Sequence, residues 1–296
     1  MRLRACDLVV AVAVARARCA ALRKKLAMAT HETTPQGFKA VSVETTLRGR
    51  KIRVLRKDLE ADDLDGSQDP FFFDADYDVA ASTGMVVWEG SWALVEALAD
   101  PESWVSAKLR GARVVELGAG TGLLGLCAAV AGADVLMTDV PAVVSEMLAP
   151  NLAANADGDA AGGGAPWARV GDGSAAAAPL DWNRAVDDPA QLAASHGADP
   201  RDAEVVLAAE CVWLKDLVAP FVETVVALLR GPKRPSCVLA FRERANDGAT
   251  GAFAAGAAVM AEFAARGCDV REHGPIGTAH RATLYEITLS SRGGEN

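Results

Sequence analysis

The residues of this chain whose types and spacing could do chemistry gather in one stretch, Val114 to Asp139, which reads VVELGAGTGLLGLCAAVAGADVLMTD. Glycines at 118, 120, 122 and 125 follow an apolar run. Glu116 precedes them, and Asp139 closes the next apolar run. A turn between a buried strand and a helix presents backbone N–H groups and the positive helix end to a ligand. Glycine lets that backbone come close, because no Cβ intervenes. An acid at the end of the second strand stands where ribose hydroxyls can donate to it. Any tight strand–helix turn favours glycine, but a full strand–helix–strand unit ending in Asp139 makes a nucleotide-type ligand the better reading.

Two ligands compete for such a loop. Gly120-x-Gly122-x-x-Gly125 satisfies the dinucleotide spacing, yet it begins two residues beyond the strand. Gly118-x-Gly120-x-Gly122 follows the strand directly, with Glu116 two residues ahead. A carboxylate in an apolar strand is costly unless something meets it. From there Glu116 can reach toward the cationic methionine end of S-adenosylmethionine, whereas a nicotinamide dinucleotide carries no cation at that place. The residues therefore favour S-adenosylmethionine. A hydride-transferring enzyme is also disfavoured: no credible Tyr-x-x-x-Lys or His pair exists, and the only tyrosines are Tyr77 and Tyr285.

Elements that would position this loop can be read on both sides of it. FKAVSVETTLRGRKIRVLRK, from Phe38, alternates apolar and polar residues around Arg48-Gly49-Arg50 and predicts a β-hairpin. An acidic stretch containing Phe71-Phe72-Phe73 follows, as a lid or docking surface. STGMVVWEGSWALVEALAD then predicts a helix capped by Ser82 or Thr83. Strands over 113–117, 134–138, 204–208 and 237–241 alternate with helices over 122–131, 143–155, 217–229 and 253–266. The "WARV" segment reads as a short strand, with a glycine- and alanine-rich loop after it. Two last strands lie near Val270 and at 283–289 with no helix between them, so one should be antiparallel. Such alternation predicts an α/β fold, a doubly wound and mostly parallel seven-strand sheet covered on both faces, with the hairpin as an N-terminal extension.

Composition bounds the function. The chain has 296 residues, 51% of them hydrophobic, and a net charge of −9. An acidic chain offers no basic face for phosphates, which argues against nucleic acid. Six cysteines (6, 19, 127, 211, 237 and 268) include no CxxC pair, and His273 and His280 lack spaced partners, so no metal site is expected. Residues 1–29 carry seven basic residues and one acid, and the run Leu8–Ala15 is too short to span a bilayer. They read as a transit peptide, a signal sequence, or an extension ahead of a start at Met28. Residues 30–80 then form the hairpin and acidic loop, and 81–290 the ligand-binding domain. A monomeric, cytoplasmic protein away from membranes is the default.

VVELGAGTGLLGL followed by VLMTD resembles the cofactor motif and acidic strand end of seven-strand, class I methyltransferases. With VVWEGSWALVEAL upstream and VVLAAECVWLKDLV downstream, residues 80–290 resemble methyltransferase family 16, a protein-lysine methyltransferase group. The resemblance implies S-adenosylmethionine as cofactor, bound by Trp88, Gly118, Ala119, Gly120, Asp139, Trp182 and Ala209 beside Glu116. It also implies a protein lysine as acceptor. The family's Asp-x-x-Tyr tetrapeptide is here Glu210-Cys211-Val212-Trp213. On that match Glu210 would orient the amine and accept its proton, and Trp213 would hold the methylated cation against its ring. Arg242 and Arg244 read first as a solvated charge run, with a guide for an acidic protein surface at the acceptor entrance as the alternative. A small-molecule amine as acceptor, or a non-catalytic binding protein on the same fold, are the alternatives.

Overall fold

The computed structural model describes residues 31–33, 39–58, 83–158, 167–183, 198–243, 253–278 and 282–291. Three strands open the chain: β1 (His31–Thr33), β2 (Lys39–Leu47) and β3 (Arg50–Lys57), paired antiparallel in that order. Leu47 faces Arg50 across a two-residue turn in which Arg48 and Gly49 both have positive φ, the geometry that matches strand twist.

The main chain then runs α1 (Glu89–Ala99), α2 (Trp104–Leu109), β4 (Arg113–Leu117), α3 (Leu123–Val130) and β5 (Asp134–Asp139). A helical stretch, α4, starts as Pro141–Val143, widens to π pitch over Val144–Leu148 and closes as Ala149–Asn155. Next come β6 (Ala168–Val170), β7 (Gly173–Pro179), β8 (Val205–Ala209), α5 (Lys215–Leu229) and β9 (Ser236–Phe241). The chain ends in α6 (Gly256–Ala265), β10 (Cys268–Ile276) and β11 (Ala282–Leu289).

The large sheet has eight strands in the order β10-β11-β9-β8-β4-β5-β7-β6. The five from β9 to β7 are parallel; β11 runs antiparallel to β9, β10 to β11, and β6 to β7. The strand beyond the seven expected is β7, third of the parallel strands in chain order, where the sequence predicts a glycine- and alanine-rich loop over GSAAAAP. Alanine has little strand preference, but parallel pairing along β5 from Asp134–Ser174 to Asp139–Pro179 holds it extended. Ser82 lies outside the described residues, and Thr83 does not cap α1: that helix begins at Glu89, with Trp88 at its N-cap position.

Burial on both faces explains the near-continuous apolar strands. In β8, Val205, Leu207 and Ala209 join the core beneath α1 and α3, while Val206 and Ala208 join the one beneath α5 and α6. Val43, Leu47, Ile52 and Val54 of the hairpin belong to the first of these cores. Asn151 of α4, 1% exposed, fastens β3 by accepting from Leu55 N (2.7 Å) and donating to Leu55 O, and it also donates to Thr121 O. No helix among the described residues is long and apolar enough to cross a membrane.

Candidate active site

The carboxyl ends of β4, β5, β7 and β8 open into a cleft whose empty space, open solvent included, is about 780 Å³. Open parallel sheets bind ligands at this end of their strands.

Its floor is the glycine loop. Gly118, Gly120 and Gly122 have φ of 65°, 57° and 82°, the left-handed region that other residues rarely adopt. A Cβ on Gly118 would sit 2.5 Å from Cys211 Cβ, and one on Gly120 2.7 Å from Gly84 O. The two glycines thus answer both backbone curvature and crowding. Asp139 pins the loop: its Oδ2 accepts from Gly120 N at 2.8 Å and its Oδ1 from Val140 N at 2.8 Å, while Ala119 N donates to Thr138 O.

Aromatic rings form the walls. Trp88 and Trp213 lie 6.5 Å apart by ring centroids, and Phe253 backs Trp213 at 6.0 Å. Trp88 Nε1 donates to Thr83 O, which fixes that ring. Trp182 follows β7 and rests its ring edge-to-face on Phe221 of α5 at 5.2 Å. Phe221 is fully buried, so the ring it supports has a rigid backing.

Of the ten residues that the sequence marked, nine line this cleft: Trp88, Gly118, Ala119, Gly120, Asp139, Trp182, Ala209, Glu210 and Trp213. Glu116 does not. Its side chain points to the α3 face of the sheet, and a Cβ on Gly125 would lie 2.4 Å from its Oε2. Gly125, inside α3, therefore makes room for this carboxyl. Glu116 is 2% exposed, and Oε2 has no hydrogen-bond partner among the described residues. Burial, with the Asp139 charge adding to it, pushes its pKa up to about 8.

Glu210 is also buried, but its Oε2 accepts a 2.6 Å hydrogen bond from Gly90 N at the start of α1. Its backbone has φ of 54°, and its N–H donates to Ala240 O. Arg242 pairs with Glu89 and does not line the cleft. His273 stacks on Trp104 with centroids 4.2 Å apart and lies 3.3 Å from Glu286, away from the cleft. Phe71-Phe72-Phe73, Arg244 and His280 lie outside the described residues.

Sequence reasoning passed over Gly84, Ser91, Asp181 and Cys211, which also line the cleft. Each is within four residues of a marked one, so adjacency was the available signal. Cys211 is free, and burial holds its thiol well above the usual range. Among the described residues no cluster of His, Cys, Asp and Glu could hold a metal.

A family model described as lysine methyltransferase matches residues 72–253. Over 64 residues the chain is 42% identical to EEF1A lysine methyltransferase 3 of Mus musculus, a stretch covering 22% of this chain and 27% of that protein. The chain thus aligns with about a quarter of that relative's length. Among solved structures, magnesium protoporphyrin IX methyltransferase of Synechocystis PCC 6803 with bound SAH superposes with a TM-score of 0.40 at 18% identity, covering 68% of this chain and 81% of that one. A putative O-methyltransferase of Nostoc punctiforme gives 0.49 at 12% identity, covering 77% and 64%.

Proposed function

The chain belongs to the lysine methyltransferase family, whose model spans more than half of it, and on that premise we propose that it methylates a lysine side chain of a protein. The coarser statement, an S-adenosylmethionine-dependent methyltransferase, follows from the family. The observation that carries the finer reading is the pair of indoles, Trp88 and Trp213, standing at the same cleft as the glycine loop.

The residues present fit the cofactor. Three positive-φ glycines curve the loop tightly at the carboxyl end of β4, and Gly118 and Gly120 line the cleft with backbone alone. Asp139 offers carboxylate oxygens where ribose hydroxyls donate, and Trp182 offers a flat apolar surface for a nucleobase. When bound, S-adenosylmethionine supplies a methyl group on a sulfonium, whose transfer to a neutral amine asks the protein mainly for alignment.

The chain's own part is to align and to select. Asp139 and the loop hold one end of the cleft rigid. Trp88 and Trp213 offer ring faces to a cation, worth about 0.5–2 kcal/mol depending on desolvation, which suits a lysine side chain before and after methylation. The amine's surplus proton leaves to solvent through the open mouth.

The test is direct. Labelled S-adenosylmethionine, the full chain and a protein lysate are incubated, and labelled proteins are hydrolysed to amino acids. The expected result is label in methylated lysine, reduced on the order of tenfold by Trp213→Ala. Label confined to small molecules, or to another amino acid, contradicts the reading.

A further inference from the structure

Glu210 stands where the resemblance places a proton acceptor, yet the structure gives its carboxylate another task. Helix α1 begins with Trp88 at its N-cap position, and no side chain there accepts from the first turn. An indole has no acceptor to offer, so the first N–H groups of α1 need one from elsewhere. Glu210 supplies it from 120 residues away, through the 2.6 Å bond from Gly90 N to Oε2.

The neighbourhood is built around that bond. Position 90 is glycine, and a Cβ there would lie 2.9 Å from Glu210 Cβ and 3.2 Å from Oε2. Any larger residue would push the carboxyl off the helix end. Glu210 holds a left-handed φ of 54°, a conformation that persists only where its surroundings enforce it. The next strand end acts on the adjacent helix residue, for Arg242, just after β9, pairs with Glu89. Two neighbouring strand ends thus grip two consecutive residues at the start of α1. Trp88 immediately precedes them and Trp213 lies three residues after Glu210, and the two rings, both lining the cleft, are tilted at 31° with centroids 6.5 Å apart.

We propose that Glu210 is a positioning residue, which caps α1 through Gly90 and with the Arg242–Glu89 pair sets where Trp88 stands beside Trp213, rather than the base that takes the amine's proton. The proposal rests on the methyltransferase reading of this cleft.

Glu210→Gln and Glu210→Ala separate the two roles, because a glutamine carbonyl can still accept from Gly90 N but cannot act as a base at neutral pH. Three readouts apply to the full chain: methyl transfer from labelled S-adenosylmethionine to lysate protein across pH, calorimetric binding of S-adenosylhomocysteine, and hydrogen exchange at the Gly90 amide. Under the proposal Glu210→Gln keeps transfer within about threefold of the parent, with an unchanged pH profile and a protected Gly90 amide. Glu210→Ala loses on the order of a hundredfold in transfer, through misalignment, and Gly90 exchanges freely. The proposal is overturned if Gln and Ala lose transfer alike by about a hundredfold, as removal of a base does, while Gly90 stays protected in the Gln variant. Should Glu210→Ala not fold, the Gln variant alone decides by pH profile and Gly90 protection. A parent protein that binds S-adenosylhomocysteine yet labels no protein contradicts the lysine reading, and Gly90 exchange in the variants still judges the cap.

Discussion

Buried carboxyls decide much of this cleft's chemistry, and three of them meet three fates. Asp139 accepts a backbone N–H on each oxygen, and Glu210 caps a helix. Glu116 is buried with an orphan oxygen and a pKa raised from 4.5 to about 8. Its effect on stability has a definite sign. Between those values the unfolded chain has released the proton that the folded chain keeps. Rising pH therefore favours unfolding by about 1.4 kcal/mol per pH unit across the window, and no further above it. Glu116→Gln removes this slope, so its stability relative to the parent should climb from pH 5 to pH 8 in denaturant titrations. Parallel curves for the two proteins would show that Glu116 is ionised in the fold. At this scale the sequence was legible wherever a residue type answers a local need, as at Gly118, Gly120 and Asp139. It misled at Glu116, because alternation along a strand fixes the face but not what covers it. Gly125, nine residues on, makes the space that turned this carboxyl away from the cleft.

Among the elements, periodicity located those with strong patterns and lost those held by partners. Helix α5 and strands β4, β5, β8 and β9 fall within two residues of their expected bounds. Strand β7, four of whose seven residues are consecutive alanines, carries no periodic signal and exists because β5 lies beside it. The start of α1 was displaced for a similar reason: its cap comes from β8, and no local rule could point there. Asn151 shows how such remote ties matter to stability. It joins α4 to β3 and to the glycine loop through three hydrogen bonds at a fully buried position. Asn151→Ala leaves buried backbone groups unpaired and should cost about 2–4 kcal/mol, read as a fall in the denaturant midpoint with an unchanged slope. A loss under 0.5 kcal/mol, roughly the level of a neutral surface change, would mean that the other ties of β3 to α4, such as the two hydrogen bonds between Arg53 and Asn155, hold it without Asn151.

For the whole molecule, the division at residue 80 does not appear as a break in the core. The hairpin contributes Val43, Leu47, Ile52 and Val54 to the same apolar layer as α1 and α3, and Arg48 reaches Ala131 O at the end of α3. The sheet, its two covering layers and the cleft at the strands' carboxyl ends together make a rigid cradle for one cofactor. Ligand binding tests that cradle without knowledge of the acceptor. The measurement is calorimetric titration of the full chain with S-adenosylhomocysteine, with NAD alongside, repeated on Asp139→Ala. A ligand that binds the folded chain also raises its melting temperature by mass action, which gives an independent check. The expected result is binding of S-adenosylhomocysteine alone, weakened by about tenfold or more when Asp139 and its hydrogen bonds are removed. Binding of NAD, or S-adenosylhomocysteine binding indifferent to Asp139, would contradict the assignment of this cleft.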